Sequence, residues 1–230
     1  MRNAADIFGA ISGLIFAGGL LLGWGLISAT ILPPNSSPEA VTQFYQDGSS
    51  RIQFGMMITM ATLAFLVPFG SALATQMRRM ADGHATLANA QFGCTVLTAG
   101  VVTMGMTLWS ITSFRPDRGV ELTYLLNDMA WIAFTLPVSG IMLMMFVTGL
   151  AIITDKSPEP IFPRWSAYFC FWGATLTAPG FAVVLFKSGP FAWNGLFAFW
   201  IALAIAFAWI IVIATLIIRA VKIQTARQSA

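Results

Sequence analysis

Asn127 and Asp128 stand side by side at the head of an apolar run, LLNDMAWIAFTLP (Leu125–Pro137), with Trp131 three residues beyond the aspartate. A carboxylate next to such a segment has two chemical uses. Inside a bilayer it relays protons or binds a cation; at the edge it marks the boundary or meets the polar head of a ligand. Arg115, Asp117, Arg118 and Glu121 precede the run, and Arg51, Lys187, Trp193 and Asn194 sit in connections expected on the same side. Together they suggest an outer vestibule, in which polar groups hold a head and tryptophans wall an apolar body. The alternative is a set of interfacial residues whose arginine–carboxylate pairs fix the loops.

Other chemistry has little to work with. The chain has one histidine, His84, in the polar stretch MADGHAT, where a solvated loop residue is expected. Haem ligation by two histidines, multi-histidine iron sites and HExxH zinc chemistry therefore have no ligand set. Cys94 and Cys170 lie in apolar runs without a neighbouring base and suit small buried hydrophobes. No nucleophile–base pair is spaced for covalent catalysis, so an enzyme ranks last and neither metal nor cofactor is expected.

The elements that position these groups follow from composition. Of 230 residues, 57% are hydrophobic and 9% charged, against about 25% charged in soluble domains. So few charges cannot cover a water-facing surface; the partner implied is a lipid bilayer. The net charge of +3 is not gathered into the basic face that nucleic acid requires.

Six apolar runs are long enough to cross the hydrocarbon as helices: about Ile7–Leu32, Ile52–Met77, Phe92–Phe114, Met129–Thr154, Trp165–Phe186 and Leu196–Ile218. The expected fold is all-α: a polytopic membrane helix bundle with six transmembrane helices, forming a single integral membrane domain over residues 1–230. The first run is too long for a signal-peptide core and is taken as an anchor. Pro33–Arg51 is expected to be the longest external loop. Arg2, Arg78, Arg79, Lys156, Arg164, Arg219, Lys222 and Arg227 fall on one side and Arg51, Arg115, Arg118 and Lys187 on the other. This bias places both termini in the cytoplasm of a bacterial inner (plasma) membrane.

No ionisable residue lies near the centre of a run, which argues against a proton pump. Counting about 20 residues back from Thr154 reaches Thr135 at the edge of the hydrocarbon. Asp128 then belongs to the rim, near a helix N-terminus that favours its charge, and Trp131 to the interfacial belt. Pro68, Pro137 and Pro179 are expected to kink their helices. Gly9–Gly13, Gly19–Gly23 and the series Ala198, Ala202, Ala206 provide small-residue packing faces. In FKSGPFAWNGLFAFW (Phe186–Trp200), Phe191, Ala192 and Trp193 are too apolar for open water, and form either an aromatic anchor or a lid over a cavity.

The stretches RPDRGVELTYLLNDMAWIAF, EPIFPRW and FKSGPFAWNGLFAFW together resemble a group of uncharacterised multi-pass integral membrane proteins of actinobacteria and some proteobacteria. The resemblance covers about Arg115 to Trp200; with no assigned activity in that group, it implies no catalytic residue.

Two functions fit these residues. One is binding or transport of an apolar or amphipathic small molecule, with Arg115, Arg118, Asn127, Asp128, Trp131, Lys187, Trp193 and Asn194 as the ligand-binding set. The other is an accessory or scaffold subunit whose small-residue faces pack on a membrane-protein partner.

Overall fold

A computed structural model describes residues 2–27, 31–80 and 85–228. His84, and the stretch of the first apolar run around Ala29, lie outside the described residues. The described chain is helical, and six helices are long and apolar enough to cross a membrane. Span I is α1 (Arg2–Leu20) continued by a π-helical turn, Leu21–Ile27. Span II is α2 (Pro38–Leu63) and α3 (Leu66–Met77), and span III is α4 (Ala85–Phe114). Span IV is α5 (Val120–Thr135) and α6 (Ser139–Thr154); span V is α7 (Trp165–Thr177) continued by a 3₁₀ segment, Ala178–Val184. Span VI is a second π-helical turn, Leu196–Ile201, followed by α8 (Ala202–Gln228).

Each span packs against its neighbours in sequence, and α1 also packs against α8, so the six close into a ring. The even number of crossings brings both chain ends to one face, termed here the terminal face; the opposite one is the distal face. Toward the terminal face α3 reaches across the ring to touch α6 and α8. There Phe69 and Trp209 meet edge to face at 5.9 Å, and Met77, Met144 and Met145 are fully enclosed. Toward the distal face the middle is occupied by an aromatic cluster around Trp24 and, among the described residues, is less completely filled.

The terminal face is closed by polar groups as well. Arg79 pairs with Asp6 at 2.9 Å, and Gln76 donates to the same carboxylate at 3.2 Å. Gln224 donates to Gln76 at 3.0 Å and accepts from Arg79. Four polar side chains from spans I, II and VI thus satisfy one another where burial would otherwise be costly. Asp6 precedes the first apolar run, and nothing local to it signals this role.

Two segments expected to be loops are helical. Ser37 caps α2 by accepting from the Ala40 backbone N–H, Pro38 occupies the first turn, and Glu39 complements the helix dipole. Val41, Thr42, Tyr45, Gly48 and Ile52 then bury one face at helical spacing. The stretch Pro33–Arg51 is therefore mostly the outer turns of α2, and it packs against α5. Span IV likewise begins at Val120, nine residues before the expected Met129. Glu121, not Asp128, occupies the first turn, so the dipole contribution assigned to Asp128 belongs to Glu121.

Proline breaks fall where the sequence puts them. Pro68 lies in the first turn of α3 after the break at Ala64–Phe65, Pro137 separates α5 from α6, and Pro179 opens the 3₁₀ segment. A missing N–H and a fixed φ account for each. The π turns carry no comparable signature.

The glycine pattern of span I is used inside the molecule. A methyl group on Gly9 would lie 2.7 Å from the Pro68 carbonyl oxygen, and one on Gly23 would lie 2.4 Å from that of Gly55. Span I rests on span II through these residues, so they offer no free face to another protein.

Candidate functional site

Among the described residues, two apolar cavities lie within the ring. The larger, about 260 Å³, lies toward the distal face between the π turn of span I, the outer part of α2 and the inner faces of spans III, IV and VI. Its wall includes Trp24, Trp109, Trp131 and Trp200, with Asn127 as the one side chain carrying an amide. The smaller, about 130 Å³, lies deeper along the bundle and is lined by residues from all six spans, from Phe16 to Ile210; it is only partly enclosed, with Ala202, Leu203, Ala206 and Phe207 half-buried. Leu203 belongs to both walls. No charged side chain lines either cavity among the described residues. For scale, an apolar cavity of about 150 Å³ accepts benzene and stays dry.

Sequence features explain why space remains here. Ala198, Ala202 and Ala206 present the small-residue face of span VI to the deeper cavity. Thr135, Pro137 and Val138 bring the break in span IV to the same wall, beside Thr177 at the end of α7. Each break tilts the chain away from a regular close-packed course. The threonine hydroxyls are engaged locally: Thr98 donates to the Cys94 carbonyl at 2.8 Å, Thr135 to Trp131 at 2.6 Å and Thr177 to Ala174 at 2.9 Å. The wall is thus apolar in effect as well as in composition.

An aromatic cluster separates the cavities. Trp24 contacts Trp109, Trp131, Phe134 and Phe199 with centroid distances between 5.4 and 6.0 Å. Trp109 and Trp131 meet edge to face at 5.0 Å. Such pairs contribute about 0.5–1.5 kcal/mol each beyond simple burial, which stiffens the wall without filling the space.

Over the distal side runs the strap Gly189–Gly195. Gly189 takes the left-handed conformation (φ 81°). A side chain on Gly195 would collide with the Pro190 carbonyl at 2.4 Å, and that carbonyl accepts from the Phe197 and Ala198 backbone N–H groups. The strap is thereby bent inward, and Ala192 and Trp193 are buried. Trp193 lies on Trp131 and donates its indole N–H to the Leu32 carbonyl at 2.9 Å. Trp193 is thus anchored on two residues of the larger cavity's wall, while no strap residue lines either cavity.

The eight sequence candidates divide into two groups. Asn127 and Trp131 line the larger cavity, Trp193 stacks on Trp131, and the Asn194 carbonyl accepts from the Trp200 indole at 3.1 Å. Asn127 is held by the Tyr45 hydroxyl, which donates to Oδ1 at 3.0 Å. Arg115, Arg118 and Lys187 line neither cavity. Arg115 lies over the Phe114 ring at 5.9 Å, Arg118 donates to the Ile111 carbonyl, and Lys187 is exposed. Asp128 is half-buried at the rim, and its Oδ1 is enclosed without a hydrogen-bond donor. The ion pairs found among the described residues are Asp6–Arg79 and Glu159–Arg227, so Asp128 is not half of a salt bridge with Arg115, Arg118 or Lys187. Cys94 and Cys170 are buried free thiols, and the Trp209 indole donates to the Cys170 sulfur at 3.2 Å. Among the described residues no cluster of histidine, cysteine and acidic groups could hold a metal.

Trp24, Trp109 and Trp200 are wall residues that the sequence did not single out, nor did it single out Tyr45, which stands behind the wall and holds Asn127. Tyr45 carries the one available signal, its place on the apolar face of the helix that Ser37 and Pro38 start. Comparisons of the chain with family models, curated proteins and solved structures find no match.

Proposed function

We propose that this multi-pass membrane protein binds, and by exchanging it transports, an apolar or amphipathic small molecule. The observation that carries the reading is the convergence of all six spans on an uncharged central cavity. Supporting it, the glycines of span I and the alanines of span VI, the faces that would serve a scaffold subunit, are turned inward. The protein works in a bacterial inner membrane with both termini in the cytoplasm, a placement supported by the lysine and arginine bias; the distal face then looks outward.

The test is purification in native-lipid nanodiscs followed by mass spectrometry, beside an Ala202→Phe variant that fills the deeper cavity. The expected result is a small molecule retained by the wild type and absent from the variant. A membrane-protein partner in stoichiometric amount, with no such molecule, would overturn the reading in favour of the accessory-subunit alternative.

A further inference from the structure

Leu21 and Trp200 combine two properties that wall residues do not usually share. Both line the larger cavity, yet they are 51% and 49% exposed on the flank of the bundle. They belong to the two π-helical turns, which meet through Trp24 and Phe199 at 5.4 Å. The flank around them carries apolar side chains, among them Leu22, Leu196 and Phe197, all exposed. The larger cavity is therefore bordered by the bilayer between spans I and VI, while the Trp193 strap lies across its distal side.

The polarity of the two walls describes what fits. The deeper cavity offers hydrocarbon and threonines whose hydroxyls already serve their own helices. Among the described residues the larger one adds a single amide, Asn127, whose Oδ1 is occupied by Tyr45 and whose NH2 group also serves the neighbouring Asp128 carboxylate. The remaining N–H of that amide suits one oxygen acceptor, and the absence of a charged lining residue among the described residues disfavours an ionised head. Asn127 lies eight residues outward from Thr135 on span IV, a rise of about 12 Å at helical pitch. A polar atom near the distal interface and a tail toward the midplane is how a single-headed amphiphile already lies in a leaflet.

Resting on the ligand-binding reading above, we infer that the ligand is an uncharged, single-oxygen lipid, a long-chain alcohol for which farnesol is a probe, entering sideways from the bilayer between Leu21 and Trp200. Its head meets Asn127, its tail passes Leu203 into the deeper cavity, and the strap keeps water from the distal side.

The experiment uses the full chain in nanodiscs with a diazirine-bearing farnesol, photolysed and mapped by peptide mass spectrometry. The wild type should be labelled on inward residues such as Phe199, Ala202 and Leu203. Leu21→Trp, which narrows the mouth at an exposed position, should lose the inward labels and keep those on lipid-facing residues. Trp200→Ala, which widens it, should gain them, and this second variant guards against misfolding of the first. The farnesyl phosphate analogue should label only the outer surface. Inward labelling that survives Leu21→Trp but disappears in Ala202→Phe would overturn the sideways route and leave the ligand-binding reading intact. Absence of inward labels in the wild type would overturn the proposed lipid class. If the nanodisc spectra also lacked any retained small molecule, the ligand-binding reading itself would fail.

Discussion

Trp193 lies flat on Trp131, the ring centroids 5.9 Å apart and the planes 8° from parallel. One ring comes from the strap before span VI and the other from the wall of span IV, so the contact fastens the strap to the cavity wall. Trp193→Phe keeps a ring in place but removes the N–H donor to Leu32, leaving that carbonyl one partner short. A loss of about 1 kcal/mol is expected, read as a lower unfolding midpoint in mixed micelles. Trp193→Ala should cost more and open the distal side, seen as faster proton exchange at the Trp131 indole.

Tyr45 and Asn127 form the buried bond that fixes the amide in the cavity wall. Tyr45→Phe should destabilise the fold by about 1 kcal/mol or somewhat more, since Asn127 loses its donor. In a double-mutant cycle with Asn127→Leu, the pair should show a coupling energy well above experimental scatter. Strict additivity would mean that the two side chains do not depend on each other.

Two glycines on one helix should respond oppositely to the same change. Gly9→Ala forces a methyl group against the Pro68 carbonyl and Ala72, and a loss of about 1–3 kcal/mol is expected from overpacking. Gly18→Ala meets nothing within 4 Å and should leave stability unchanged or raise it by about 0.5–1 kcal/mol through helix propensity. Unfolding midpoints of both variants, measured side by side, decide the matter.

Asp6 and Glu159 are both paired with arginine, in very different settings. Asp6→Ala removes a buried partner of Arg79 and Gln76 and should cost about 3 kcal/mol. Glu159→Ala breaks an exposed pair with Arg227 and should cost about 0–1 kcal/mol. Equal effects would show that the terminal-face network contributes no more than a surface contact.

Asp128→Asn loses no ion pair and neutralises a carboxylate whose Oδ1 is enclosed without a donor, so stability should stay the same or rise. On the ligand-binding reading, the substitution should nevertheless lower retention of the bound molecule in nanodiscs, through the hydrogen bond of Asp128 to the wall residue Asn127. Unchanged retention together with a sharp fall in stability would assign Asp128 to the fold alone.

The six spans were legible because the length of an uncharged apolar run is a property of consecutive residues. The same holds for the proline breaks at Pro68, Pro137 and Pro179, where one residue type removes the bond. Asn127, Trp131 and Trp193 were legible as interfacial residues, but their gathering at one cavity was not. That depends on which faces spans I, III, IV and VI turn to one another, and alanine or tryptophan looks alike toward lipid, neighbour or void. Ala198, Ala202 and Ala206 make the point: the spacing showed a small-residue face but not that it bounds empty space. The outer turns of α2 and α5 were missed because they project beyond the hydrocarbon, where mixed polarity resembles a loop. In the first case Ser37, Pro38 and Glu39 offered a start signal that the hydropathy pattern masked.

The π turn at Leu196–Ile201 makes the aim of the strap a matter of counting. The Gly195 carbonyl receives both the Phe199 and the Trp200 N–H groups, the second spanning five residues in place of four. Such a turn holds one residue more than an α-helix would need for the same course. Removing any one of its residues would let span VI close into regular helix and swing everything before it by about 100°. Trp193 would then leave Trp131 although neither tryptophan had changed, so chain length at this point is as much a determinant of the cavity as the residues that line it.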